Sequence, residues 1–419
     1  MEERRVKIPF SPPDISDLEI QYVVETLKSG WITTGPKTKL FESQIAQFCG
    51  TPMSVCLNSA TSAMELMLHM LGVGPGDEVI TSAYTYTASA SVISHVGAKI
   101  VLVDTTSNSF FMDPAQLADA ITERTKAVIP VDIGGVMADY NEIFAAVRSK
   151  RHLFRPATGM QEVYNRPVVL ADAAHSIGAG YHGQPSGSVG DFTAFSFHAV
   201  KNLTTAEGGA ITWKNRPYID NLEVYRDLQL LSLHGQNKDA LSKLKLGAWE
   251  YDIVHLGYKY NMTDLTAALG LAQLERFDDL TKKRLANIAT YDEELLPLGI
   301  ERLDHHHLDR PGNGHLYMLR IPGISEKQRD KVIEDMAVRG IACNVHFKPL
   351  PMFSAYQSLG FDIESYPNAY AQYSNEITLP THTKLTEDEL AYIIKSLKDS
   401  LRSISSKGAR AKGRQSIKP

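Results

Sequence analysis

The stretch PVVLADAAH, from Pro167 to His175, decides the fold of this chain. Val168 to Ala171 form a short apolar run, and Asp172 closes it. A run so short and so uniformly apolar reads as a strand buried on both faces, with a carboxylate at its carboxyl end. The same pattern occurs three times upstream, in DEVIT (77–81), KIVLVD (99–104) and KAVIPVD (126–132), with strand ends near Thr81, Asp104, Asp132 and Ala174. Between these runs lie longer segments with helical spacing, such as DPAQLADAITERT (113–125). Buried strands alternating with helices imply right-handed crossovers and a mainly parallel sheet, an α/β architecture. Ligands of such sheets sit beyond the carboxyl ends of the strands, where Asp172 and Ser196 fall.

Working outward, residues 1–280 read as an N-terminal segment with the large α/β domain, and 281–404 as a smaller α+β domain. The smaller domain is expected to hold a strand in GHLYMLRIPG (314–323), a helix in SEKQRDKVIEDMAVRG (325–340) and a strand entering a loop in GIACNVHFKPL (340–350). One long helix is expected from Thr263 to Leu295. The segment RHLFRPATGMQEVYNRP (151–167) reads as an insertion, and the basic tail 405–419 as lacking regular structure.

With 43 basic against 48 acidic side chains, the net charge of -5 gives no basic surface for nucleic acid. The three cysteines form no disulfide or metal spacing, which fits a reducing compartment. The start MEERRVKIPF lacks the apolar core of a signal peptide, and no apolar run spans a bilayer. A cytoplasmic protein is expected. The histidines of DHHHLD (304–309) are consecutive, so they cannot easily converge on one ion, and no metal is expected.

Four features carry chemistry. In LNSATSAMELML (57–68) small and hydroxylated residues open a helix, whose free N–H groups suit a phosphate; simple capping by Ser59 or Thr61 is the plainer alternative. Asp172, at the end of a buried strand, needs a partner such as a protonated heterocyclic nitrogen, or serves as a cap or structural ion pair. His175 lies close by. In FSFHAVKNLTTAEGG (195–209), Lys201 is either a solvated charge or a desolvated amine that forms Schiff bases with carbonyls. In SAYTYTASASV (82–92), Tyr84 or Tyr86 could face an aromatic ligand or merely pack. An anion cradle, a carboxylate, an amine and an aromatic wall on one parallel sheet are the parts of a pyridoxal phosphate site.

At these residues the chain resembles the DegT/DnrJ/EryC1/StrS sugar-nucleotide aminotransferases, within the aspartate-aminotransferase-like fold type I enzymes. The likeness runs from about Ile8 to Leu401, through SGWITTGPKTKLFE, NSATSAM, YTYTASA, ADAAHSIGAGYHGQ, FSFHAVKNLTTAEGGAI, GYKYNMTDLTAALGLAQL and GIACNVHFKPL. WITTGPK, FSFHAVKN and GYKYNMTD are most similar to the branch that makes UDP-linked 4-amino-4-deoxy-L-arabinose. The resemblance implies that Lys201 carries pyridoxal 5'-phosphate and that Asp172 pairs with its ring nitrogen. It further implies that Ala60, Thr61 and Ser196 hold the phosphate, Tyr86 stacks on the ring and His175 sits beside it. Asn261 would reach the phosphate from the other subunit of a homodimer with a shared site. This chain has Lys259–Tyr260–Asn261 where many relatives have NYR, which leaves open whether Lys259 or Asn261 makes that contact. Trp31, Thr33, Thr34, His315 and His346 would border a nucleotide-linked keto sugar, UDP-linked and 4-keto by the branch likeness, aminated from glutamate through the pyridoxamine form. The alternatives are a sugar dehydratase of the same family, which has histidine in place of Lys201, and a non-catalytic regulator on this fold.

Overall fold

The computed structural model describes residues 7–237 and 250–415. Its central sheet has seven strands: β1 (Ser54–Leu57), β2 (Glu78–Ser82), β3 (Lys99–Val103), β4 (Thr125–Ile129), β5 (Val168–Asp172) and, after a small hairpin of β6 (Gly180–Tyr181) and β7 (Gln184–Pro185), β8 (Phe192–Ser196) and β9 (Gly209–Trp213). Their order is β1-β9-β8-β5-β4-β2-β3. The pairs from β3 through β8 are parallel; β9 alone runs against its neighbours β1 and β8.

Every residue of β2, β4, β5 and β9 is buried, which is why none of these strands alternates apolar with exposed polar residues. The two faces still sort by parity. Val168 and Leu170 pack with Ala63 and Met67 of the helix Ala60–Met70, while Val169 and Ala171 face Tyr140, Ile143 and Val147 of the helix Tyr140–Ser149. β4 stops at Ile129, earlier than the expected Asp132, because Pro130 has no N–H for the ladder; Val131 rejoins only through a bridge to Asp172.

A second core lies around a three-stranded antiparallel sheet of β10 (Glu301–Arg302), β11 (Tyr317–Arg320) and β12 (Glu376–Leu379). Helices Glu326–Val338 and Glu387–Gln415 cover it. The expected boundary at 280 falls inside one continuous helix, Phe277–Leu295, whose start packs in the larger core and whose Ile288, Tyr291 and Leu295 belong to the smaller. Ile8 also sits in the smaller core, beside Ile341, so the N-terminal segment does not pack wholly with the large part.

Three expectations are corrected. The single helix 263–295 is two, Asp264–Glu275 and Phe277–Leu295, broken at Arg276, whose guanidinium is drawn to Asp14 and Glu19. GIACNVHFKPL forms no regular strand; its strand-like pairings are the bridges at Ile341 and Asn344. The tail continues as helix through Gln415, since Lys, Arg and Ala are good helix formers, and 416–419 lie outside the described residues. The insertion 151–167 is ordered, with a short helix Gly159–Tyr164. Gln161 and Thr158 hydrogen-bond the Leu71 carbonyl at the far end of the helix Ala60–Met70. It therefore lies at the amino-terminal edge of the sheet, away from the strand ends that hold ligands.

Asp191 pins that edge. Fully buried, it accepts from Arg166 at 2.6 and 2.8 Å, from the Val169 N–H at 2.9 Å and from Arg216. Asp191→Ala would strand the buried Arg166 guanidinium, and we expect a loss of about 3–5 kcal/mol in stability. Denaturant titration checks this, with the activity of the remaining folded protein unchanged.

Candidate active site

At the carboxyl ends of β5 and β8 a cavity of about 350 Å³ opens. Ala60, Thr61, Tyr86, Asp172, His175, Ser196, Lys201, His315 and His346 all line it. The strands position them by their ends: Asp172 is the last residue of β5 and Ser196 the last of β8, and Lys201 follows in the loop to β9.

The helix Ala60–Met70 begins here. Ser59 caps it by accepting from the Ser62 N–H at 3.1 Å, so capping is real and does not exclude anion binding by the remaining N–H groups. The glycine pair explains how the helix comes so near. A Cβ on Gly209 would lie 2.4 Å from the Ser59 carbonyl carbon and 2.5 Å from the Ala60 nitrogen.

Asp172 is buried and accepts from the Ser89 hydroxyl at 2.6 Å and from the Ala174 N–H at 3.2 Å. Burial raises its pKa, opposed by those two bonds and by Lys201. Lys201 is lowered to about 8 by burial, with Asp172 pulling the other way. The amine is thus poised near neutrality, and the carboxylate lacks a full cationic partner in direct contact.

His175 accepts from the Gly134 N–H at its Nδ1, 3.1 Å away. Burial, then Lys201 and His346, hold it well below the usual histidine range. Its ring stacks on Phe347 at 5.8 Å and lies 4.5 Å from that of His315. His346 is held at about 3 by burial and Lys201; its Nδ1 meets the Thr378 hydroxyl at 2.9 Å.

The tyrosine alternative resolves. Tyr84 is fully buried and gives its hydroxyl to the His346 carbonyl at 2.5 Å, whereas Tyr86 is 63% exposed and edges the cavity. Trp31, Thr33, Thr34, Lys259 and Asn261 do not line the cavity within this chain. They form a separate cluster: Asn261 donates to the Thr34 hydroxyl at 2.6 Å and accepts from Lys259 at 2.7 Å. The Trp31 indole donates to the Thr34 carbonyl at 3.2 Å, and Asp264 binds the Thr33 carbonyl through its N–H.

Sequence reasoning missed Ser89, Phe347, Phe10, Asn202 and Asn313. Ser89 lies inside the quoted YTYTASASV, but no periodicity singles out its hydroxyl. Phe10 stacks on His346 at 5.6 Å from a segment remote in sequence. His305 is buried, and its Nε2 meets the Leu316 carbonyl at 2.9 Å.

A helix terminus with a hydroxyl for a phosphate, a buried carboxylate awaiting a cation and an amine lowered to about 8 fit pyridoxal phosphate. A model of the DegT/DnrJ/EryC1/StrS aminotransferase family matches residues 13–398. The chain belongs to that family. It is similar to the spore coat polysaccharide biosynthesis protein SpsC of Bacillus subtilis, 37% identical over 405 residues, with 95% of this chain and 98% of that one covered. The UDP-4-amino-4-deoxy-L-arabinose–oxoglutarate aminotransferase of Shewanella sediminis is 35% identical, covering 90% of each chain. The solved structure of a Streptococcus pneumoniae protein named as a sugar aminotransferase, Spr1654, in its PMP form, superposes with a TM-score of 0.93 at 53% identity, covering 95% of this chain and 100% of that one. A PLP form of the same protein matches with a TM-score of 0.92 at 51% identity, covering 95% of this chain and 99% of that one. The family's enzymes are pyridoxal phosphate-dependent sugar aminotransferases, the fold is that of fold type I, and the cofactor is pyridoxal phosphate.

The lowered amine has a direct consequence. Below pH 8 Lys201 is increasingly protonated and inert; above it the amine is neutral and nucleophilic. Attachment of pyridoxal phosphate to cofactor-stripped protein, followed by visible absorbance, should reach half its maximal rate near pH 8. It should fall about tenfold per unit well below that. A rate that does not vary with pH would contradict the placement of this amine.

Proposed function

We propose that the protein moves an amino group from L-glutamate to a nucleotide-linked keto sugar, a UDP-linked 4-keto sugar, to make an amino sugar for surface polysaccharide, lipid A or natural-product biosynthesis. The observation that carries this reading is Lys201 and Asp172 facing one cavity beside a free helix N-terminus. When bound, pyridoxal phosphate supplies an electron-accepting ring that relays the amino group between donor and acceptor.

The rest is done by the chain. The N–H groups of Ala60 and Thr61, with Ser196, bind the phosphate. Asp172 holds the proton on the ring nitrogen, and Ser89 orients that carboxylate. Tyr86 and His175 bound the slot for the ring. Lys201 Nζ, which faces the same cavity, would take the proton from the donor's α-carbon and return it during the transfer. A dehydratase of this family would have histidine at position 201. A regulator would have no use for a desolvated lysine beside a buried aspartate. The UDP carrier and 4-keto position rest on the WITTGPK and KYNMTD likeness, with the Shewanella relative's name in support. A soluble cytoplasmic enzyme fits; no helix among the described residues is long and apolar enough to cross a membrane.

The site is shared between two copies. Trp31, Thr34, Lys259 and Asn261 stand apart from this chain's own cavity, and Ile20, Val24 and Leu27 leave an exposed apolar stripe on the nearby helix Asp17–Ser29. Asn261 is already committed on both sides of its amide, which favours Lys259 as the group that reaches the neighbour's phosphate.

Lys201→Ala should abolish turnover and keep the fold; borohydride should trap the cofactor on the Lys201 peptide, and trapping on another lysine would overturn the assignment. Asp172→Asn should keep the cofactor and lose about 30- to 1000-fold in single-turnover rate, the worth of a buried charge-assisted bond. A loss under threefold would remove that role. The acceptor is tested by offering the pyridoxamine form UDP-, dTDP- and GDP-linked keto sugars; amination of the latter two with UDP forms inert would refute the UDP reading.

Sharing is tested by mixing inactive Lys201→Ala protein with an inactive variant lacking the Lys259 and Asn261 side chains. Reassorted dimers hold one intact site, so activity should return. A fully active monomer in sedimentation would rule sharing out.

A further inference from the structure

The segment 257–262 lies against the helix Ala60–Met70, and its alternation shows how it is held. Tyr258 and Tyr260 are half-buried, and Lys259 between them is exposed. The Tyr258 hydroxyl meets His69 Nε2 at 2.5 Å, and the Tyr260 hydroxyl donates to Glu65 Oε1 at 3.1 Å. Glu65 is buried and also meets His95 Nδ1 at 2.7 Å, which fixes its carboxylate. The two tyrosine rings stack at 4.9 Å with 12° between their planes, so both stand on one face of the segment. Successive side chains of extended backbone point to opposite faces, which turns Lys259 away from the helix.

The spacings match. Glu65 and His69 stand about one turn apart, about 6 Å along the helix axis. Two residues of extended chain cover about 6.6 Å. Tyr258 pairs with the later helix residue and Tyr260 with the earlier, so the segment runs against the helix, toward its start. There the Tyr260 carbonyl accepts from the Asn58 N–H at 2.8 Å, and Asn261 bridges Leu57. Asn58 directly precedes Ser59, which caps the helix at the cavity. From the other side, the Leu231 and Ser232 carbonyls at the end of the helix Asn221–Ser232 accept from the Tyr258 and Tyr260 N–H groups at 2.7 and 2.9 Å. The helix start at this chain's own cavity and the residues that stand apart from that cavity are therefore one piece.

We propose that Tyr258 and Tyr260 are positioning residues that set Lys259 for the phosphate in the partner's cavity by holding it in register on this chain's helix. Each helix Ala60–Met70 then serves both cavities: its own through the N–H groups at its start, and the neighbour's through the segment fastened to its side. A slip of one residue would turn Lys259 toward the helix. This rests on the shared-site reading, which has its own test in the mixing of Lys201→Ala protein with the variant lacking the Lys259 and Asn261 side chains.

The register role is tested in dimers assembled from two differently tagged chains, one carrying Lys201→Ala. Only one cavity can then capture pyridoxal phosphate covalently, and borohydride trapping on the Lys201 peptide reads its saturation. Tyr258→Phe with Tyr260→Phe keeps the rings and removes both hydroxyls. Placed on the Lys201→Ala chain, which lends its segment to the working cavity, the pair should raise the half-saturating concentration about fivefold or more. Placed on the chain that holds Lys201, it should change that concentration less than about twofold. Capture of pyridoxal, which has no phosphate, should stay within about twofold in both arrangements. A larger loss when the phenylalanines share a chain with Lys201, equal losses in the two arrangements, no loss in either, or an equal loss for pyridoxal overturns the proposal. If the two inactive variants never complement each other, the shared site itself falls and takes this role with it. If they do, and the loss across the dimer is missing, the register role alone falls.

Discussion

Everything at the site depends on burying a carboxylate where the sheet ends. Asp172 is 4% exposed, and among the described residues only a serine hydroxyl and one backbone N–H donate to its carboxylate. Removing a carboxylate from water without a cation is costly, and under the proposed function a protonated ring nitrogen would recover that cost. The same desolvation lowers the Lys201 amine to about 8. One physical cause thus prepares both groups, and it acts because β5 is buried along its whole length and β8 up to Ser196, so that both groups line one cavity beyond the strand ends. Burial of the strands and reactivity of the site are two aspects of a single arrangement.

That dependence explains what the sequence made legible. The buried strands announce themselves as unbroken apolar runs, because both faces are covered, and the polar residue that ends each run marks the ligand edge. Asp172, Ser196 and Lys201 were readable for this reason, as were the parallel sheet and the smaller α+β part. The helix start at Ser59–Ala60 was readable from its small residues, and Gly209 has its reason in the 2.4 Å approach to that start, as Gly208 has in the Thr205 hydroxyl beside it.

What was not legible shares one property: it depends on contacts between segments far apart in the chain. Ser89 is identified by its bond to Asp172, 83 positions away, not by its neighbours. The break at Arg276 comes from Asp14 and Glu19, more than 250 residues earlier, while the local pattern reads as one continuous helix. Tyr84 and Tyr86 are indistinguishable as sequence, and only the His346 carbonyl separates the packed ring from the one at the cavity. The Asn202 amide reaches the Asn313 carbonyl across 111 positions.

His346 shows how the two cores meet at the site. Tyr84, in the large core, donates to its carbonyl; from β12, in the smaller sheet, Glu376 accepts from its N–H at 2.8 Å and Thr378 meets its ring. Burial raises the Glu376 carboxyl to about 8, opposed by Thr378, the His346 N–H and Arg329. A residue held from both cores, by its backbone and its ring, cannot keep all three bonds if one core shifts against the other. The cavity wall at His346, and Phe10 stacked on it, therefore register the packing of the smaller core on the larger. The smaller core includes Ile8, two residues before Phe10, so the N-terminal segment is tied to the same joint. The wall facing Lys201 is thus built from three remote parts of the chain, and its geometry is a property of the whole fold.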